Sequence, residues 1–176
     1  MFLNKIKAFL LISISLIFFF LTYNDVKSQE VNIISGIARV IDGDTLRIGN
    51  KKIRLYGIDA PEKKQLCKKT YLSIVFFSFK NNYRCGDIST NILKNKINQK
   101  HVICKSSTKD IYKRYIAECF DNNVNINAWM VRNGYAVAFR KYSKKYVSDE
   151  MIAKKNKLGL WKGTFEMPWK WRKENK

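Results

Sequence analysis

The run VIDGDTLRIGNKKIRLYGIDAPE, residues 40–62, admits few folds. Leu46 and Ile48, then Ile53 and Leu55, alternate with Thr45, Arg47, Lys52 and Arg54. That period of two gives a strand one apolar and one polar face. Gly49 and Asn50 break the alternation where a turn is needed, so two strands joined by a turn are expected. A slip of one residue would carry the whole apolar set to solvent, so the pattern also specifies the register. Residues 33–41, IISGIARVI, are rich in β-branched side chains and predict a third strand, completing a meander.

The rest of the chain alternates strand and helix signals. Residues 63–85 carry charge, two cysteines and the apolar patch YLSIVFFSF, which fits a short helix and a strand equally well. From Asp87, read as a helix N-cap, Ile88, Ile92, Leu93 and Ile97 keep helical spacing. HVICKSS then returns to strand character, opening at His101, and a turn near Lys109 and Asp110 leads into the strand YIAECF. A helix is expected over 127–133, ended by Gly134 in the left-handed region, and another over 143–157 with Tyr146, Ile152 and Ala153 on one side and Gly159 as its stop. The tail from Gly163 is expected to pack its aromatic residues, Trp169 and Trp171 together with Trp161, onto the body.

Residues 1–28 read as an export segment: Lys5 and Lys7, then an uncharged apolar run from Ala8 to Tyr23, then a polar stretch around Val26 and Ser28. A cleaved signal peptide and a retained N-terminal anchor both fit, since a spanning helix needs only about 20 apolar residues. Residues 29–176 are the size of one domain. The chain has 34 Lys and Arg against 14 Asp and Glu, a net charge of +20, and such a field concentrates polyanions. Nucleic acid, or an anionic membrane surface, is the matching partner class. All four cysteines follow the export segment, where disulfides persist. Their spacing lacks a C-x-x-C pair and His101 is the single histidine, which argues against zinc. Of the three connectivities, Cys67–Cys85 with Cys104–Cys119 is favoured, because each pair is adjacent and the second brackets the expected hairpin.

In so basic a chain, Asp42, Asp44, Asp59 and Glu62 within 21 positions form an acidic island that the meander folds back on itself. Hard divalent cations take such carboxylate and carbonyl oxygens and complete their shell with water. Asp44 and Asp59, each at a strand terminus, are the best candidates for direct ligands. Arg54, on the strand leading to Asp59, and Arg114, in DIYKRYIAEC, add the two guanidinium forks that hold a phosphate gaining charge. Cation, carboxylate base and two arginines together describe metal-assisted phosphodiester cleavage.

VIDGDTLRIG, IRLYGIDAPE, DIYKR, NAWMVRNGYAVAF and YVSDEMIAKKNKLGLW together resemble the thermonuclease, or staphylococcal nuclease-like, family over residues 35–170. The resemblance implies a β-rich α+β architecture, an OB-fold five-stranded β-barrel with about three helices, whose open face receives single-stranded nucleic acid. It implies one calcium ion held by Asp44, Asp59 and the backbone carbonyl of Ala60, with Asp42 supporting. Ala60 stands where the family's reference enzyme has threonine, a change that a carbonyl contact survives. The resemblance also makes Glu62 the group that activates water, and Arg54 and Arg114 the phosphate-binding arginines. Tyr112 and Tyr142 match positions that line the nucleotide pocket, where stacking on a base is worth about 1–3 kcal/mol. One departure bears on Arg114: Lys113 replaces a glycine common in the family, at a place that tolerates a left-handed backbone.

These readings converge on an exported calcium-dependent nuclease of DNA and RNA with low sequence preference; the resemblance also implies 3′-phosphate products. It is expected in the periplasm or secreted, or held at the inner membrane if residues 1–28 are retained. A monomer is expected, with no obligate protein partner. The rivals are a catalytically inactive OB-fold module that only binds nucleic acid, and a membrane-tethered nuclease that processes DNA during uptake.

Overall fold

The computed structural model describes residues 31–74 and 77–175, with side chains outside 70–79. The expected signal or anchor over residues 1–28 lies outside the described residues. The meander is present as β1 (Asn32–Asp42), β2 (Thr45–Ile48) and β3 (Lys51–Leu55), paired antiparallel with the turn at residues 49–50. Leu46, Ile48, Ile53 and Leu55 are buried, as the alternation requires.

A short β4 (Ile58–Asp59) follows, and then residues 63–85 resolve as a long antiparallel hairpin of β5 (Leu66–Ile74) and β6 (Phe77–Arg84). The Cys67–Cys85 bridge ties the base of that hairpin to helix α1 (Cys85–Ile97). Asp87 is not the N-cap of α1. That position is Arg84, which makes no capping bond, and Asp87 sits inside the first turn paired with Arg84 at 2.7 Å. The helix starts two residues earlier than Asp87 because Cys85 is pinned by the bridge. Leu93 and Ile97 face the core, whereas Ile88 is exposed.

Strands β7 (His101–Lys109) and β8 (Tyr115–Asp121) form the second expected hairpin, with Cys104 and Cys119 as register partners and disulfide-bonded. The barrel closes because β7 pairs with β1 and β8 pairs parallel with β3, Arg54 lying opposite Ile116. The closed five-stranded barrel is the expected OB architecture. Asn127 fastens its closure from inside: its amide donates to the carbonyls of Tyr56 (2.9 Å) and Ala117 (3.2 Å) and accepts from the Cys119 N–H (3.1 Å).

The remaining elements are β9 (Val124–Asn125), α2 (Ile126–Arg132), β10 (Val137–Ala138), α3 (Val147–Lys155), β11 (Gly163–Thr164) and α4 (Pro168–Glu174). Among the described residues there are thus four α-helices, where about three were expected, and no helix is long and apolar enough to cross a membrane. Asn125 caps α2 by accepting from the Ala128 N–H, and Gly134 follows it at φ +74°. A side chain there would strike the Leu158 carbonyl. Helix α3 is shorter at both ends than expected. Tyr146 and Ala153 are buried but Ile152 is not, and the helix ends four residues before Gly159, at Lys155. The aromatic tail does pack on the body: Trp161, Phe165, Met167 and Trp169 surround a small second core of Cys67, Cys85, Val137 and Leu160.

Candidate active site

The acidic island is assembled at the end of the barrel where β2 begins and β3 ends. Asp42 accepts the Asp44 N–H through Oδ1 (3.1 Å), and the Asp44 carbonyl accepts the Leu55 N–H (2.8 Å). The Ala60 N–H donates to Asp44 Oδ2 at 2.7 Å. Asp59 is set by the β4–β10 pairing, opposite Val137, and is fully buried at 0% exposure.

Arg54 joins the two aspartates: its Nη1 pairs with Asp44 Oδ1 and its Nη2 with Asp59 Oδ1 at 2.6 Å. One planar cation therefore spans both carboxylates. Burial lowers the pKa of the Arg54 guanidinium, against the opposing pull of Asp59. A charge buried this deeply is tolerated only with such partners. Glu62 is half-buried on the adjacent turn, where its carbonyl accepts the Gln65 N–H (2.8 Å) and its N–H donates to Gln65 Oε1 (3.3 Å).

Arg114 reaches the same cleft from the β7–β8 turn, but its guanidinium is tied to Asp110, with Nε and Nη2 both 2.7 Å from Oδ2. Those hydrogen bonds outweigh burial and hold the Asp110 carboxyl below the usual carboxylate range. Lys113 adopts φ +61°, so the turn keeps the left-handed residue although no glycine is present. Tyr112 and Tyr142 stand at the rim, 73% and 65% exposed. Asp42, Asp44, Arg54, Glu62, Tyr112, Arg114 and Tyr142 line one cleft of about 860 Å³.

The structure thus gathers Asp42, Asp44, Arg54, Ala60, Glu62, Tyr112, Arg114 and Tyr142 around one opening, with Asp59 buried behind Arg54 and paired with it. It also brings in Arg172, which the sequence reading treated only as part of a tail of aromatics and cations. Arg172 donates from Nη2 to Asp59 Oδ2 (2.9 Å) and from Nη1 to Asp59 Oδ1 (3.1 Å) and Glu62 Oε1 (2.9 Å). Burial works against its charge, but Asp59 and then Glu62 override it and raise its pKa above the ordinary arginine value. No local pattern marked this residue. The only hint was a cation directly after Trp171, in a segment expected to dock.

The donor set suits a hard cation, since Asp44 and Asp59 offer carboxylate oxygens close enough for a single guanidinium to bridge. Among the described residues no three acidic, histidine or cysteine side chains converge on one point. A bound ion would therefore draw further ligands from carbonyls and water, as calcium does.

A family model described as staphylococcal nuclease homologue matches residues 52–163, more than half of the chain. The chain belongs to the staphylococcal nuclease homologue family. It is an enzyme of the nuclease class, a hydrolase of phosphodiester bonds. Among its relatives, an uncharacterized endonuclease of Haemophilus influenzae is 33% identical over 97% of this chain and 88% of its own length. A succinoglycan biosynthesis protein, ExoI, of Rhizobium meliloti is 32% identical over 73% of this chain, which spans 65% of that protein. A probable staphylococcal-like nuclease, CAN3, of Oryza sativa is 33% identical over 71% of this chain but only 29% of its own length. Membership in the nuclease homologue family agrees with the barrel and with the cleft at its end.

Proposed function

We propose that the protein is an exported, calcium-dependent nuclease that cleaves DNA and RNA with little sequence preference. The observation that carries this reading is the bridging of the buried Asp44 and Asp59 by one cationic group, Arg54, which lines a cleft together with Asp44, Glu62 and Arg114. Asp44, Asp59 and the Ala60 carbonyl would hold one calcium ion, with Asp42 orienting Asp44 through its backbone N–H. When bound, that ion supplies Lewis-acid polarisation of a phosphoryl oxygen.

Glu62 accepts the proton of the attacking water. As the water oxygen bonds to phosphorus the ester P–O bond breaks, and the departing alkoxide oxygen takes a proton from solvent to become a hydroxyl. Arg54 and Arg114 face the charge that grows on the phosphoryl oxygens. For Arg114 this requires exchanging Asp110 for phosphate, a swap of one oxyanion for another. Tyr112 and Tyr142 offer exposed ring faces for base stacking, which tolerates any base and supports low sequence preference. Two disulfides fit an oxidising compartment, and a cleaved signal peptide at residues 1–28 would deliver the chain there.

Cleavage of single-stranded DNA by the purified protein, in calcium and then in chelator, tests the reading. Loss of cleavage in chelator and recovery on adding calcium are expected. Equal rates under both conditions, or no cleavage with calcium, would sink it.

A further inference from the structure

Helix α4 is anchored to the barrel by contacts other than the Arg172 ion pairs. Trp169 stacks on Phe139 (centroids 5.4 Å apart, planes 21°), and Pro168 is buried. The fully buried Gln65 donates its Nε2 to the Glu166 carbonyl at 2.7 Å while its Oε1 accepts the Glu62 N–H. One side chain thus binds the Glu62 turn to the tail segment just before α4. From this base Arg172 extends over the carboxylates and takes both oxygens of Asp59 and one of Glu62. No other hydrogen bond from a described residue reaches Asp59 Oδ2.

We propose that Arg172 is a positioning residue of the nuclease site: it holds Asp59 and Glu62 together before the substrate arrives and competes with the divalent cation for Asp59. The inference rests on the calcium-dependent reading. Asp59 is buried, so each of its oxygens needs a partner when no ion is bound: Arg54 pairs with Oδ1, and Arg172 takes Oδ2. Asp42, Asp44, Asp59 and Glu62 carry four negative charges, and Arg54 and Arg172 return two positive ones. A divalent ion neutralises the remaining two, so the ion weakens the hold on Arg172. The guanidinium is then released from Asp59 toward the phosphate at the cleft mouth, which Arg172 already lines.

Competition and positioning make opposite demands on one substitution, which separates them from a merely structural role. Arg172→Met and Arg172→Lys are compared with wild type in the full chain, by calorimetric titration with calcium chloride and by turnover of a single-stranded oligonucleotide. Arg172→Met is expected to bind calcium about 5-fold or more tightly, the size of an ordinary coupling between two ligands. Its kcat should fall on the order of 10- to 100-fold as Glu62 loses its partner. Arg172→Lys keeps one charge but cannot fork across both carboxylates, and is expected to recover part of kcat.

Calcium binding that is unchanged or weaker in Arg172→Met overturns the proposal, as does an unchanged kcat. If wild type binds no calcium but Arg172→Met does, competition is supported in its strongest form. If neither binds it, the calcium reading and this one fall together. Calcium-dependent cleavage by wild type alongside an unaltered Arg172→Met overturns this proposal alone. Melting temperatures in chelator identify a variant that has failed to fold, and the lysine variant then carries the comparison.

Discussion

Gly43 packs so closely on Ala60 that a Cβ placed on the glycine would lie 2.6 Å from the alanine Cβ and 2.9 Å from that of Ser89. The glycine between the two aspartates lies in the turn into β2, yet its indispensable property is the absence of a side chain. It lets the Ala60 N–H reach Asp44. Gly43→Ala must push Ala60 away and is expected to destabilise the fold by about 1–3 kcal/mol, the usual result of overpacking. Calcium affinity should weaken with it, since Asp44 loses its backbone donor. Denaturant melts and calcium titration check both, and a variant matching wild type in each would contradict the packing account.

Glu62 is half-buried and is paired with Arg172, not held by Arg54 as Asp44 and Asp59 are. Glu62→Gln is expected to lower kcat by about 10²–10⁴-fold. Oligonucleotide affinity in the same variant, measured by fluorescence anisotropy without calcium, should change little. A rate within a factor of three of wild type would remove Glu62 from the chemistry.

Lys113 is held at φ +61°, a region that costs a residue with a Cβ roughly 1–2 kcal/mol and costs glycine much less. The flanking turn is fixed by Asp110, which accepts the N–H groups of Tyr112 and Arg114. Lys113→Gly is therefore expected to raise stability by about 0.5–1 kcal/mol after the entropy of the freer unfolded chain is counted. A lower melting temperature would show that the strain is not felt there.

Acid sensitivity follows from carboxylates with cationic partners. Burial works to raise the Glu150 pKa, but hydrogen bonds from Arg140 and Lys154 and from the Ala138 N–H leave it lowered. Asp121 is lowered chiefly by its hydrogen bond from Lys100, against burial, with Lys96 adding its charge. Each folded pKa lies below the unfolded one, so this stabilisation is complete above the unfolded value, about pH 4, and is lost as pH falls through the folded value. Melting temperature should hold between about pH 7 and pH 5 and drop below about pH 4, less steeply in Glu150→Gln. A profile flat down to about pH 2.5 would refute the linkage.

Much of the barrel was legible because strands announce themselves by period two. Leu46, Ile48, Ile53 and Leu55 allowed only one face inward, and Val102, Cys104 and Ser106 repeat that logic in β7. Residues 63–85 were ambiguous because a short apolar run fits a helix or a strand, and the choice went to the partner strand and to the Cys67–Cys85 bridge. Asp87 misled as a cap because the bridge at Cys85 carried the helix past it.

The sequence by itself determined the strand register and the acidic island between Asp42 and Glu62, since each depends on residues near one another in the chain; it favoured the disulfide pairing that the structure then fixed. Tertiary structure alone decided what those carboxylates meet. The parallel pairing of β3 with β8 brings Arg54 beside the turn that bears Arg114, and docking of α4 sets Arg172 on Asp59 across 113 positions of sequence. Such a contact is chosen by the packing of Trp169 and Pro168 elsewhere on the body, and local spacing carries no trace of it.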